Sequence, residues 1–193
     1  MATDKLTSDE KDVLLRLARE ALERGVKGEA LPSLDLESMP SRLQRLGASF
    51  VTLTINGNLR GCIGTLEPYQ PLAEDVREHA VAAAMSDFRF PPVRPEELPD
   101  IHIEVSRLTT PEPLIYASPE DLLTRLRPGM DGVLLRDGSR RATFLPQVWD
   151  KVPDPAEFLN HLCQKMGAKS GLWREKQLQV STYQVEEFHE QRN

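Results

Sequence analysis

Ala48-Ser-Phe-Val-Thr-Leu-Thr-Ile55 alternates with period two, Asn56-Gly57 interrupts it, and Asn58-Leu-Arg-Gly-Cys-Ile-Gly64 takes up an extended pattern again. Alternation of this kind gives a strand one apolar face, and Asn-Gly supplies the two left-handed residues that a type I′ turn requires. The spacing predicts an antiparallel hairpin, which commits the surrounding chain to antiparallel sheet. The second strand is unusual, because Gly61 and Gly64 bracket a cysteine, Cys62, two positions from Arg60. Each interior glycine weakens a strand by about 0.5–1 kcal/mol relative to alanine, so the pair predicts that another backbone or a ligand comes close there.

Helices are expected on either side of this hairpin. Thr7-Ser-Asp-Glu10 has capping-box spacing, and Val13, Leu14, Leu17, Ala18, Ala21 and Leu22 recur with helical period up to a stop at Gly25. Leu72, Val76, Ala80, Ala83 and Ala84 predict a second helix whose small residues pack closely on the sheet. Residues 86–93 cannot continue it, since Phe90 precedes Pro91-Pro92. Ile101 to Leu108 reads as a half-buried strand, with Ile101, Ile103 and Val105 on one face and His102, Glu104 and Ser106 on the other. A short helix opens at Ser118-Pro119, and a second hairpin turns at Asp137-Gly138. Asp154 caps a helix that stops at Gly167, and Gln177 to Glu187 reads as one closing strand. Hairpins separated by helices point to an α+β fold: antiparallel sheet flanked by helices, over 193 residues that fit one domain or two small interlocked ones.

Composition excludes several classes. No apolar run approaches the roughly 20 residues of a membrane span, and the first residues carry neither the basic nor the apolar stretch of a signal peptide, so a cytoplasmic location is expected. A net charge of −6 argues against a broadly basic nucleic-acid face. Cys62 and Cys163 form no C-x-x-C pair, and His79, His102, His161 and His189 show no ligand spacing, so neither a disulfide framework nor a metal site is indicated. Dinucleotide, P-loop, nucleophile-elbow and H-E-x-x-H motifs are all missing from the sequence. The sequence leaves the cofactor unknown.

The candidate chemistry gathers at the glycine-rich strand. An unbroken strand puts Arg60, Cys62 and Gly64 on one face, and Leu59, Gly61 and Ile63 on the other. A thiol with a pKa of about 8.5 is only about 3% ionised at pH 7, whereas a guanidinium that lowered it by about two units would make the thiolate the majority form. The alternative is an inert thiol packed as a small core residue, because free cysteine is among the most buried types and no base stands beside it in sequence. Glu104 and His102 become an acid/base pair for Cys62 if their strand is a neighbour; otherwise they are solvated. Asp87 and Arg89 either clamp a carboxylate or phosphate, or brace the loop. The five arginines Arg125, Arg127, Arg136, Arg140 and Arg141 outweigh Asp131 and Asp137, and are expected to be a charged hairpin tip rather than an anion-binding face. Cys163 falls on the apolar stripe of its helix, while His161 and Lys165 share a solvated face.

Gly57-Asn-Leu-Arg-Gly-Cys-Ile-Gly64, Asp87-Phe-Arg-Phe-Pro-Pro-Val93, Glu97-Leu98, Ile103-Glu-Val-Ser106, Pro111-Glu-Pro113, Asp131-Gly132 and Leu145-Pro-Gln-Val148 together resemble the AMMECR-one domain family. The resemblance covers about Leu6 to Tyr183, with one local departure at Phe88, where members often carry proline. It implies a two-part α+β architecture with a smaller subdomain and a site at Arg60 to Gly64. It also implies, in prokaryotes, a genetic association with a Memo-like protein and a radical SAM enzyme, the AmmeMemoRadiSam system. It brings no biochemical activity with it. Three functions follow as expectations. The first is a small anionic ligand, bound or acted on between Arg60, Gly61, Cys62 and Gly64 and the loop of Asp87 and Arg89. The second is a non-enzymatic adaptor for those two partners, and the third an RNA-modification factor.

Overall fold

A computed structural model describes residues 5–191 of the chain. Helix α1 spans Ser8–Val26 and begins with the expected reciprocal cap, in which the Glu10 N–H donates to Thr7 Oγ1 at 3.2 Å and the Thr7 N–H to the Glu10 carboxylate at 2.7 Å. A connector with a single 3-10 turn leads to the short helix α2, Ser41–Gln44. Strands β1 (Leu46–Ile55) and β2 (Asn58–Gly64) form the expected hairpin, with φ of 52° at Asn56 and 78° at Gly57. Next come β3 (Gln70–Pro71), α3 (Leu72–Met85), β4 (Ile101–Leu108) and β5 (Glu112–Pro113). They are followed by α4 (Pro119–Arg125), β6 (Gly132–Asp137), β7 (Arg140–Phe144) and α5 (Pro155–Lys165). The last elements are α6 (Leu172–Glu175), β8 (Gln179–Tyr183) and β9 (Val185–His189).

Two compact units share this chain: residues 1–108 with 186–193, and residues 109–185. In the first, the strands run in the order β2-β1-β4-β9, with β3 pairing the start of β1. β1 is antiparallel to both β2 and β4. One face of this sheet presents Val51, Leu53, Ile103 and Val105 to Leu14 and Leu22 of α1 and to Val76, Ala80 and Ala83 of α3. The other face carries Phe50, Thr52, Thr54, His102 and Glu104, all half-buried. Gly25 does not end α1, which runs on until Gly28 turns the chain at φ +71°. A Cβ on Gly25 would lie 2.8 Å from Val81, so this glycine permits the close crossing of α1 and α3.

The second unit has the strand order β5-β8-β6-β7 over a core of Leu122, Val133, Leu135, Phe158, Leu162, Cys163 and Trp173. Trp149 stacks on Phe158 with ring centroids 3.7 Å apart. Its hairpin turns one residue later than expected, with Gly138 at φ +62° in the first central position and Asp137 retained in the strand. The single closing strand expected over 177–187 is two strands in two sheets, because the chain leaves β8 at Gln184 and re-enters the first sheet as β9. Gln184 is held at that exchange by Thr109, whose Oγ1 accepts the Gln184 N–H and whose N–H donates to the Gln184 carbonyl, both at 2.8 Å. The side-chain period slips at this exchange, from Leu178 and Val180 buried to Tyr183 and then to Glu186 and Phe188, so the break in alternation accompanies the change of sheet. The architecture is the α+β class expected from the sequence, and no helix among the described residues is long and apolar enough to cross a membrane.

Candidate functional site

The orientation of Cys62 is set by one extra residue. A flat hairpin closed by Asn56-Gly57 pairs Ile55 with Asn58 and Thr54 with Leu59, and would continue Leu53 with Arg60, Thr52 with Gly61 and Val51 with Cys62, turning the thiol toward the core. Instead Leu53 pairs with Gly61 and Thr52 with Cys62, leaving Arg60 as the bulged residue. The insertion moves every later side chain of β2 to the opposite face, so Gly61 looks inward and Cys62 outward. Inward, a Cβ on Gly61 would stand 2.1 Å from the Ala83 carbonyl oxygen of α3; at Gly64 it would meet Ser49 O and the Phe50 ring at 2.4 Å. Protein atoms thus make the close approach anticipated at both glycines, and neither faces an open ligand cradle.

Arg60 is committed to the frame. Its Nε and Nη2 donate to the two Glu97 oxygens at 2.8 and 3.1 Å, and its Nη1 and Nη2 to the carbonyls of Pro91 and Pro92 at 3.0 and 3.4 Å. The Arg60 guanidinium, followed by the Arg94 N–H, holds the Glu97 carboxyl down to about 2, against the opposing effect of burial. The expectation that Arg60 and Cys62 work side by side is replaced by an ion pair that fastens β2 to residues 91–97.

A different guanidinium stands beside the thiol. β2 is an edge strand, and its outward backbone groups at Cys62 are met by side chains of the 86–93 loop. The Cys62 N–H donates to Asp87 Oδ2 at 2.8 Å, and Arg89 Nη2 donates to the Cys62 carbonyl at 3.2 Å. Asp87 in turn receives Arg89 Nε at 2.9 Å, Nη2 at 2.6 Å and its N–H at 3.1 Å. The two side chains stand in for a neighbouring strand, blocking edge pairing at this point. The Arg89 bonds foremost, helped by the Cys62 N–H, hold the Asp87 carboxyl well below the usual carboxylate range although the residue is only 5% exposed. Asp87 pushes Arg89 further up, and the Cys62 thiol adds to this. Even so, the Arg89 side chain stays 45% exposed, and its Nη1 meets no hydrogen-bond acceptor among the described residues.

Outward, Cys62 is half-buried and its sulfur lies 3.2 Å from Thr52 Oγ1. Thr52 pairs with Glu104 on β4, so Cys62, Thr52 and Glu104 form one row across three strands. The Glu104 carboxylate has no hydrogen-bond or ion-pair partner among the described residues. His102 sits in the next row, opposite Thr54, with its Nε2 2.6 Å from the Glu190 carbonyl and its ring 5.7 Å from that of His189. Cys163 contrasts with Cys62: it is fully buried, and burial pushes its thiol up.

Other candidates are absorbed by the fold. Arg125 pairs with Asp121 at 2.8 Å, Arg127 with Asp131 at 2.7 Å, and Arg140 and Lys176 both with Asp137, which compensates much of the arginine-rich stretch. Lys165 lies with His161 on the exposed face expected of their helix, and its Nζ donates to the Thr143 carbonyl at 2.9 Å over the Phe144 ring. Residues that sequence reasoning passed over include Thr52 and Glu97, and a buried cluster in which Ser49 Oγ and His79 Nδ1 both approach Asp75 Oδ2, at 2.6 and 3.2 Å. With the carboxylate central and the serine fully buried, that cluster anchors α3 to β1 and offers no nucleophile. A groove of about 1550 Å³ along α1, lined by Asp9, Asp12, Arg16, Glu20 and His102 among others, holds neither the thiol nor Arg89.

The family model AMMECR1 matches residues 15–188. A protein of Methanothermobacter thermautotrophicus is 42% identical over 96% of each chain, and one of Methanopyrus kandleri is 38% identical over 97% of this chain and 92% of its own. The crystal structure of an uncharacterised protein from Pyrococcus horikoshii superposes with a TM-score of 0.78 at 34% identity, covering 96% of this chain and 94% of that one. By fold, by extent and by these likenesses, the chain belongs to the AMMECR1 family.

Proposed function

We propose that the outward face of the first sheet around Cys62 is a site for a small anionic ligand, held by Arg89 and presented to the thiol. The observation that carries this reading is the Arg89 guanidinium itself. It is fixed by Asp87 and by the Cys62 carbonyl, its charge interacts with the Cys62 thiol, and it is almost half exposed, with Nη1 meeting no acceptor among the described residues. A preorganised guanidinium binds carboxylates or phosphates without first having to be ordered. Thr52 steadies the sulfur, Asp87 positions Arg89, and Arg60, Gly61 and Gly64 hold the strand in register. A free thiol of this kind fits a reducing, cytoplasmic setting.

Alkylation rates test the reading. Iodoacetate and iodoacetamide differ by one charge, so the ratio of their rates at Cys62 reports the local field and cancels accessibility. A unit charge a few Å away contributes about 1 kcal/mol at solvent-like dielectric, or about fivefold. Arg89→Gln should lower the iodoacetate-to-iodoacetamide ratio by about that factor. An unchanged ratio removes Arg89 from the site, and a Cys62 inert to both reagents ends the reading.

A second reading draws on Phe88, whose side chain is 95% exposed on a loop pinned at Asp87, Arg89, Pro91 and Pro92. Large exposed aromatics on rigid loops are typical interface anchors. An adaptor that joins the Memo-like and radical SAM partners implied by the family would use such a residue. Phe88→Ser should then abolish co-purification with a co-expressed Memo-like protein while leaving Cys62 alkylation intact; a complex that survives the substitution removes Phe88 from the interface.

A further inference from the structure

Resting on the anion-site reading above, we infer that the ligand is bipolar, with its anionic end at Arg89 and a cationic end at Glu104. The inference comes from the row Cys62–Thr52–Glu104, which runs straight across β2, β1 and β4. Adjacent strands are about 4.8 Å apart, so the Glu104 position lies about 10 Å from that of Cys62, on the far side from the Asp87 to Pro92 loop. The two ends of the row therefore present groups of opposite sign to the face, the half-exposed Arg89 guanidinium at the loop and the Glu104 carboxylate at β4.

Glu104 is the group that the frame leaves unused. A half-buried carboxylate sacrifices part of its hydration and normally recovers it from a donor. The carboxylates of Asp87, Glu97, Glu186 and Glu190 in this unit all have arginine partners, whereas Glu104 has none among the described residues. The titratable neighbours on its own face do not supply one: His102 is turned to the Glu190 carbonyl, and the His189 ring lies tilted beside that of His102. A ligand amine or guanidine placed over Glu104 would restore the missing donor. Thr52, between the two ends, offers a hydroxyl, and the thiol lies nearer the anionic end. The ligand class is a zwitterion with opposite charges about 10 Å apart or slightly more, the span of a three-residue extended peptide, at up to about 3.3–3.6 Å per residue.

Charged thiol reagents read both the field and its origin. Cationic 2-(trimethylammonium)ethyl, anionic 2-sulfonatoethyl and neutral methyl methanethiosulfonates should be reacted with Cys62 in the wild-type protein, in Glu104→Gln and in Glu104→Lys. At about 10 Å a unit charge changes the rate of a charged reagent by roughly twofold to fourfold. Glu104→Gln should therefore slow the cationic reagent and speed the anionic one by that factor, with Glu104→Lys roughly squaring the effect and the neutral rate unchanged throughout. If neutral and anionic reagents react at Cys62 but the cationic rate ignores position 104, the bipolar ligand is refuted while the anion site stands. A Cys62 that resists even the neutral reagent refutes the underlying site as well.

Discussion

The tightest contact in the motif is also its most quantitative test. A Cβ placed on Gly61 would lie 2.1 Å from the Ala83 carbonyl oxygen and 3.1 Å from its carbonyl carbon, against a normal carbon-to-oxygen approach of about 3.3 Å. Gly61→Ala must therefore push α3 from β2 by about 1 Å or buckle the strand beside its bulge. The obstructing atom belongs to helical main chain, so no rotamer change relieves it. Overpacking of this kind costs about 1–3 kcal/mol, and backbone against backbone belongs at the upper end. For a chain of this length about 3 kcal/mol corresponds to a fall in Tm of about 6–12 °C. Thermal melts followed by far-UV circular dichroism measure it. Gly57→Ala makes a useful comparison, since its Cβ meets nothing within 4 Å and only the left-handed φ of 78° is penalised, at about 1 kcal/mol. A Gly61→Ala protein that melts within about 2 °C of wild type would refute the claim that this glycine exists for the approach of α3.

Four further outcomes follow from the same geometry. Asp87→Asn removes a buried carboxylate that accepts from Cys62 and three times from Arg89, and should cost about 3 kcal/mol in urea unfolding. Glu97 is held at about 2 when folded, below its unfolded value of about 4.3; because the folded pKa is the lower, its stabilisation is complete above about pH 5 and is lost as pH falls toward 2. The urea midpoint should decline over that acid range, less steeply in Glu97→Gln, and equal slopes would count against the ion pair with Arg60. Thr52→Val should leave the melting temperature nearly unchanged yet slow iodoacetamide labelling of Cys62 at pH 7 by about threefold to tenfold, the worth of one hydrogen bond to the sulfur; an unchanged rate would show the 3.2 Å contact to be inconsequential. Cys163 should label only in denaturant, and native labelling there would contradict its burial.

The sequence made the hairpin legible because its signals are local: alternation over residues 48–55, and an Asn-Gly pair whose φ values are those a type I′ turn needs. It also placed Cys163 in the core, since helical periodicity determines the face of a helix directly. The bulge at Arg60 was not legible. No residue type marks it, and it is favoured only once α3 requires a bare backbone at Gly61 and Glu97 can receive the displaced guanidinium. The same dependence hid Thr52, and it hid how Glu104, named only as an acid/base candidate, lines up with Cys62, since the row follows from the shifted register. For Asp87 and Arg89 the residue types suggested a pair, but their role in satisfying an edge strand arises only when the loop lies against β2. The division of the closing strand at Gln184 did leave a signal that a reading by residue type alone passes over: the apolar residues step out of period, from Leu178 and Val180 to Tyr183 and Val185 and then Phe188, where the pairing partners change.

Within the motif, the residues that hold the frame differ from those the proposed site would use, and this changes how loss of function should be interpreted. Arg60→Ala would strand the Glu97 carboxylate and release the Pro91 and Pro92 carbonyls; removing one partner of a partly buried ion pair costs more than the pair itself contributed. Substitutions at Gly61 or Gly64 force α3 or Phe50 to move. All three changes would disturb the register that keeps Cys62 outward, so inactivity in any of them would be expected whether or not the residue ever touches a ligand. Thr52 and Glu104 are better probes, because conservative changes there alter polarity or charge around the sulfur without breaking an ion pair or adding atoms to the core, whereas a change at Arg89 also strands the buried Asp87 carboxylate. A variant at one of these positions that folds normally and changes the thiol's response to charge identifies chemistry; one in the glycine-rich strand identifies only architecture.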